Sequence, residues 1–600
     1  MAIEFFDDPR FLAPPRTVTS RGADGSLVLR SPEPLQAHER CIGDWLERWA
    51  KDTPDVVALA ERHPDGSWRE LSYGALRRVA GSVAQSLLDL GLPRDRPVVV
   101  LSDNAVDHAV LMFAAMHVGL PVCTVSSAYC RLSKDHAKIR GILETLNPSL
   151  VYASDAATYG PAVAAARPDA VVVFSIGAKE HPGALDFDSL AQAVETPAVA
   201  CAFESIQPDD HAKYLLTSGS TGHPKVVINT HRMLCANQQM IAQTWRFVED
   251  EKPLVLDWLP WSHTFGGNHN LNLVLRNGGT LWIDEGRPAP GLVEKSVRNL
   301  RDVKPTLYFN VPRGMDMLLP FLEADPAFAN DFFSRLRMVF YAGAALPQAT
   351  WERMEAVARR VREQPLWFTT SWGSTETSPA VTTAHWKLDR AGVIGLPMPG
   401  MELKLVPNGE KLELRVRGVS VFPGYRNAPE LTAQAFDDEG FYRIGDAGFL
   451  LDDKHPERGV VFNGRVAEDF KLSTGTWVSV GTLRVKLVSA LAPYAQDVVI
   501  TGHDRDEVGA LVFPSAQGRE APPDVMAAHI RAALRAMAAE GAGSSQCPKR
   551  ALVLAEPLDP DAGEITDKGY VNQAAVLKRR QADVLALHVA PPDPRVILGK

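Results

Sequence analysis

Cysteine is scarce in this chain. Six occur among 600 residues (Cys41, Cys123, Cys130, Cys201, Cys235 and Cys547), and no two stand as Cys-x-x-Cys. That excludes a dithiol redox pair or a zinc site built on that spacing, and the six read as reduced, mostly buried thiols. Positive charge is not in excess either. Lys and Arg number 63 against 72 Asp and Glu, for a net charge of −9, which argues against nucleic acid as a bulk electrostatic partner. A long apolar run is missing. The longest stretch, Ala109 to Val125, is broken by His117, Gly119 and Pro121. It is too short to span a bilayer and reads as a buried helix followed by a strand. The first residues, Met-Ala-Ile-Glu-Phe-Phe-Asp-Asp, lack the basic and apolar segments of a secretory signal, so the expected location is cytoplasmic. No internal repeat or coiled coil is evident.

What is present is ordinary for a globular protein: 46% hydrophobic and 22% charged residues. The length predicts several domains or subdomains. Residues 1 to about 40, rich in Pro and Arg, read as an extended arm on the surface. Beyond them, strands and helices alternate. Leu76, Val79, Val83, Leu87 and Leu90 recur at helical spacing between Gly74 and Leu92. Pro97 to Ser102, Val151 to Ser154 and Ala170 to Ser175 read as buried strands. This alternation predicts a largely parallel, helix-covered sheet. From Gly395 to Gly448 short strands and Gly/Pro/Asn turns predict a small β-rich subdomain. The basic run Lys578-Arg579-Arg580 reads as a solvated helix end.

The most informative stretch is Tyr214-Leu-Leu-Thr-Ser-Gly-Ser-Thr-Gly-His-Pro-Lys-Val-Val-Ile228. An apolar strand feeds a loop of hydroxyls and glycines, and a β-branched run follows. Thr217, Ser218, Ser220 and Thr221 offer hydroxyls. Gly219 and Gly222 let backbone N–H groups converge on an anion, and Lys225 adds charge. The pattern suits a polyphosphate, although a ligand-free Ser/Gly hairpin has the same composition. It is not the Gly-Lys-Ser/Thr loop that opens a helix.

Together with four later segments, this loop resembles the adenylate-forming superfamily of acyl-CoA synthetases, luciferases and peptide-synthetase adenylation domains. The segments are Tyr341-Ala-Gly-Ala-Ala-Leu-Pro347, Ser371-Trp-Gly-Ser-Thr-Glu-Thr377, Tyr442-Arg-Ile-Gly-Asp446 and Asn463-Gly-Arg465. They occur in the family's order, and the likeness runs from about Asp44 to Arg580. It implies an α/β fold: a large N-terminal domain of two helix-covered sheets with a β-rich subdomain (1–465), then a smaller mobile α+β domain (466–600). It also implies ATP and coenzyme A as co-substrates and Mg²⁺ as the metal, with a monomer or homodimer as the assembly.

The resemblance assigns roles to individual residues. The loop Thr217 to Gly222 with Lys225 would close over the ATP phosphates. Gly343, Ala344 and Ala345 would lie against adenine, and Trp372, Gly373 and Ser374 would complete the nucleotide site. Thr375 would face the α-phosphate. Glu376 would hold Mg²⁺, which prefers one or two carboxylates plus phosphate oxygens. Asp446 would accept the ribose hydroxyls, with Arg465 as the second ribose or phosphate contact. His263 would gate the acyl pocket, while neighbouring His269 reads as structural. Lys568, in Gly563-Glu-Ile-Thr-Asp-Lys568, would be the catalytic cation, with Lys578 as the alternative. Gly475 would let pantetheine approach during thiol transfer.

The reaction implied is ATP-dependent acid–CoA ligation through an acyl-adenylate. The block Trp258 to Asn272, the Lys471 to Arg484 stretch and the Gly-Glu-Ile-Thr-Asp-Lys-Gly ending resemble bacterial feruloyl-CoA synthetases, which implies a hydroxycinnamate substrate. Asn268, Asn270, Tyr308, Asn310, Trp372 and Thr377 are candidates to line its slot. A medium-chain fatty acid or a benzoate is the alternative acid, and a non-catalytic ATP-binding scaffold the alternative class.

Overall fold

The computed structural model describes residue 6 and residues 8–131, 135–217, 224–539, 543, 545–559, 562–565 and 571–599. Its first sheet has seven strands, in the order Lys225–Thr230, His211–Thr217, Val122–Thr124, Val98–Val100, Leu150–Asp155, Val171–Ile176 and Leu185–Asp186. All neighbours are parallel except the first pair. Val98, Val99 and Val100 are all fully buried, as a strand covered on both faces requires. The predicted helix at 74–92 spans Tyr73–Asp89. The Ser72 hydroxyl caps it by accepting the Ala75 N–H, 3.3 Å away. Leu76, Ala80, Val83 and Leu87 form its buried stripe.

The second sheet has fifteen strands. One half is parallel and includes Leu254–Asp257, Leu307–Asn310, Met338–Tyr341 and Trp367–Gly373. The other half is antiparallel. It runs through Ala380–Thr383 and Val393–Pro397 to Val460–Arg465, Tyr442–Leu450, Lys411–Gly418 and Met401–Asn408. The β-rich subdomain thus continues this sheet without a break in hydrogen bonding. The N-terminal arm differs from expectation. Val18–Arg21 and Leu27–Arg30 are strands, and the second pairs with Met401–Asn408. Leu27 and Leu29 are buried in the core from the strand next to the edge, which Val18–Arg21 forms.

Past Arg465, a short turn (Val466–Glu468) leads to a four-stranded sheet of Ala495–Thr501, Gly509–Pro514, Arg550–Val553 and Val596–Leu598. Helices Val480–Leu491 and Pro523–Ala539 pack on it around a separate core. No helix among the described residues is long and apolar enough to cross a membrane.

Candidate active site

The parallel strands of the second sheet end in loops that converge on one cavity of about 1250 Å³. Ligands of open α/β sheets bind at such carboxyl ends. The cavity wall takes Ser262 to Phe265 after one strand, Ala342 to Ala345 after another and Ser374 to Glu376 after a third.

The first sheet contributes a hydroxyl and a cation to the wall. Thr217 and Lys225 face each other in antiparallel register, and both line the cavity. The Lys225 ammonium stands 4.9 Å from the centre of the Tyr425 ring. Ser218, Gly219, Ser220, Thr221 and Gly222 lie outside the described residues.

Elsewhere in the wall, the pairing of Tyr442–Leu450 with Val460–Arg465 sets Asp446 opposite Arg465. Arg465 Nε lies 3.1 Å from Asp446 Oδ1. The Trp372 indole N–H donates to Asp446 Oδ2 at 2.7 Å. The tryptophan that stands where the family pattern has tyrosine therefore holds this carboxylate in place. Burial pushes the Asp446 carboxyl above its ordinary range, against the pull of Arg465 and Trp372. Gly343, Ala344 and Ala345 form a small-residue wall at the end of Met338–Tyr341. At Gly373 a Cβ would sit 1.8 Å from the Pro379 carbonyl oxygen, so only glycine fits.

Thr375 and Glu376 are buried in the wall beside Ser374. Glu376 Oε1 accepts the Tyr425 hydroxyl at 3.0 Å. Burial, with the Glu376 carboxylate second, raises the Tyr425 phenol above its ordinary range, and Tyr442 is raised for the same reasons. Both phenols stay protonated beside the carboxylate. Among the described residues no group of three or more His, Cys, Asp or Glu could hold a metal. A lone carboxylate in the wall of this cavity fits Mg²⁺, which would complete its shell with phosphate oxygens and water. It does not fit a metal that needs an all-protein cage.

Another part of the wall is aromatic. Phe265, His269 and Phe340 share the wall with His263, whose Nδ1 accepts the Phe265 N–H at 3.2 Å. Residues Phe265–Asn270 form a π-helical turn, a feature frequent at functional sites. Of the residues expected to line the slot, only Trp372 does so. Asn268 and Asn270 turn inward to Asn229 and Asp257. Asn310 donates to the Tyr308 hydroxyl, and Thr377 Oγ1 bonds backbone around the Gly373 turn. Buried amides and hydroxyls sit where partners exist, and these found theirs behind the wall. Two functional candidates had been passed over. His269, read as structural, is in the wall. Lys213, a charge inside an apolar strand, is 3% exposed and donates to the Gly267 carbonyl at 2.9 Å. Burial lowers its ammonium to about 7.

Lys568 lies outside the described residues, but Gly563, Ile565 and Asn572 on either side of it line the cavity. Lys578 is exposed on helix Gln573–Arg579 and is not part of the wall. The solvated reading of the basic run holds for exposed Arg579 and fails for Arg580. Arg579 pairs with Asp559 at 2.6 Å, and buried Arg580 grips fully buried Glu564 through two bonds of 2.8 and 3.0 Å. A charge can be buried when it meets a carboxylate in bidentate geometry. Gly475 lies at φ +81° in an exposed loop between Phe470–Lys471 and Trp477–Val478, away from the cavity wall.

The chain is similar to known proteins. The family described as AMP-binding enzyme matches residues 46–426, and its C-terminal domain matches residues 471–589. "4-coumarate--CoA ligase 2" of Oryza sativa subsp. japonica is 28% identical over 480 residues, covering 74% of this chain and 77% of that protein. "Probable CoA ligase CCL8" of Humulus lupulus is 26% identical over 372 residues, 57% of this chain and 56% of that protein. The fold matches the anthranilate CoA ligase AuaEII in complex with anthranoyl-AMP, with a TM-score of 0.71 and 20% identity. That match covers 92% of this chain and 98% of the other.

Proposed function

Because the chain belongs to the AMP-binding enzyme family, we propose that it is an acid–CoA ligase that activates a hydroxycinnamate such as ferulate. The observation that carries this reading is the meeting, in one cavity, of Thr217 with Lys225, the buried Glu376 carboxylate, Asp446 beside Arg465 and an aromatic wall. In the first half-reaction a carboxylate oxygen attacks the α-phosphorus of ATP, the bond to the β-phosphate bridging oxygen breaks, and pyrophosphate leaves. In the second, the coenzyme A thiol loses its proton, sulfur attacks the acyl carbon, and AMP leaves with the electron pair. Both partners of the first step are anions, so catalysis requires cations and positioning. Thr217, Lys225 and the Ser218–Gly222 segment hold the phosphates in this reading. Glu376 holds Mg²⁺, which when bound neutralises phosphate charge. Thr375 faces the α-phosphate. Asp446, fixed by Trp372, and Arg465 take the ribose, while Gly343 to Ala345, Gly373 and Ser374 border adenine. His263 stands at the acid's entry.

Lys568 is the proposed transition-state cation. The placement of Ile565 and Asn572 in the cavity wall supports it, as does the exposure of Lys578. Residues 466–600 would rotate about the Arg465–Phe470 segment to bring Gly475 to the thiol. At present Asp469 is tied to Lys411 and to the Val480 N–H. The test is coenzyme A-dependent thioester formation with ferulate, p-coumarate, benzoate and octanoate, using wild type and Lys568→Ala. Turnover of hydroxycinnamates, with adenylation lost in the variant, supports the reading. Turnover of octanoate or benzoate alone overturns the substrate, and absence of pyrophosphate release with every acid overturns the activity in favour of a scaffold.

A further inference from the structure

Two residues of opposite charge share the cavity wall without pairing. Lys225 opens strand Lys225–Thr230 of the first sheet, and Glu376 follows strand Trp367–Gly373 of the second. No ion pair joins them among the described residues. Opposite charges in a half-buried wall attract strongly, and a direct pair would leave neither free for a ligand. Tyr425 touches both. Its hydroxyl donates to Glu376 Oε1 at 3.0 Å. Its ring centre stands 4.9 Å from the Lys225 ammonium, within reach of a cation–π contact. Tyr425 is 6% exposed and belongs to the wall itself.

The backbone around Tyr425 is fastened to the same two places. Tyr425 forms an antiparallel bridge with Val227, and the Arg426 N–H donates to the Val226 carbonyl at 2.9 Å, one residue past Lys225. The Phe422 N–H donates to the Glu376 backbone carbonyl at 2.8 Å. Residues 422–426 therefore strap the strand that carries the cation to the turn that carries the carboxylate. Beyond them, the Arg426 guanidinium reaches the Leu146 and Asp95 carbonyls of the first sheet's loops at 2.9 and 2.8 Å. The contacts made by the side chain are of a particular kind. A phenol is a neutral donor, so it orients the carboxylate and leaves its charge for a cation. A ring face holds an ammonium by its quadrupole and leaves N–H donors for an anion.

We propose that Tyr425 is a positioning residue that holds Lys225 and Glu376 apart, keeping the ammonium available to phosphate oxygens and the carboxylate to Mg²⁺. The inference rests on the acid–CoA ligase reading and adds the group that stops its two charges from cancelling.

The experiment reads binding as well as turnover. The full-length enzyme is titrated calorimetrically with α,β-methylene-ATP, which cannot release pyrophosphate, once with excess EDTA and once with excess Mg²⁺. Tyr425→Phe keeps the ring and loses the hydroxyl. Affinity for the Mg²⁺ complex should fall about tenfold, while that for the metal-free analogue stays within about twofold of wild type. Tyr425→Leu loses both contacts, so metal-free affinity should also fall, by about fivefold. Once Glu376→Gln has removed the carboxylate, adding Tyr425→Phe should change Mg²⁺-complex affinity by less than about twofold, because the two positions act through one interaction. Equal Mg²⁺-complex affinity in wild type and Tyr425→Phe overturns the proposal. Equal loss of both forms in Tyr425→Phe, the mark of a merely structural role, overturns it too. So does a Tyr425→Phe effect that persists undiminished beside Glu376→Gln. Any of these, with pyrophosphate still released by wild type from ATP and an acid, leaves the ligase reading standing. A wild type that binds neither form and releases no pyrophosphate with any acid defeats both.

Discussion

Lys213 carries the sharpest stability prediction. It sits on His211–Thr217, the strand that leads into the phosphate loop, and no carboxylate pairs with it among the described residues. Its ammonium donates to the Gly267 carbonyl, inside the turn that carries His269. Burial lowers it from 10.5 to about 7. At about 1.4 kcal/mol per decade of proton affinity, the charged form is penalised by roughly 5 kcal/mol. Replacing Lys213 with Met keeps the stem's bulk and removes the charge, and it gives up one hydrogen bond worth about 1 kcal/mol. The sign follows from proton counting. Between pH 7 and 10.5 the unfolded chain holds the lysine proton more tightly than the folded one, so wild-type stability from this group rises with pH. Below pH 7 both states are charged and the full penalty applies. Lys213→Met should therefore be the more stable by about 3–4 kcal/mol at pH 6. The advantage should shrink through pH 7–10 and end as a deficit of about 1 kcal/mol. Paired urea melts of the N-terminal transition at pH 6, 8 and 9.5 measure it. A wild type that is the more stable at pH 6, or a difference that does not vary with pH, would refute the reasoning.

Three other outcomes follow from the site. Glu376→Gln keeps the Tyr425 contact but removes the charge, so Mg²⁺-dependent pyrophosphate release should fall by about a hundredfold or more while thermal stability holds. Trp372→Phe deletes the indole donor to Asp446, and KM for ATP should rise about fivefold to tenfold, with little change if the acid is varied instead. Glu564→Ala strands the Arg580 guanidinium and should destabilise the C-terminal unit by about 3 kcal/mol, read as the lower of two thermal transitions. An unchanged transition would mean that Glu556 alone satisfies Arg580.

The periodic parts of the fold were legible in the sequence. Leu76, Val83 and Leu87 announce their helix, and Val98 to Val100 their parallel strand, because burial repeats with the element's own period. The N-terminal strands were not, since Leu27 and Leu29 alternate too briefly to stand out from the proline-rich arm. The site divided in a similar way. The acidic and glycine positions of the nucleotide side could be placed by resemblance, but the Trp372–Asp446 bond joins strands far apart in the chain and has no local signal. His269 read as structural because no motif of its own marks it, and the π-helical turn that brings it to the wall has no signal in the local sequence. Arg580 escaped because a basic run looks solvated until its buried carboxylate is known. Asn268 and Asn270 erred in the opposite direction: polar residues near a pocket were expected to face it, and both were taken by partners behind the wall.

The central claim is that this cavity makes an acyl-adenylate. The most direct measurement mixes the enzyme with ATP, Mg²⁺ and ferulate without coenzyme A, quenches within a turnover and identifies nucleotide products by mass spectrometry. The account predicts feruloyl-AMP and pyrophosphate in amounts comparable to enzyme, with AMP and feruloyl-CoA appearing once coenzyme A is added. Formation of ADP and phosphate instead, or intact ATP with every acid offered, would contradict it.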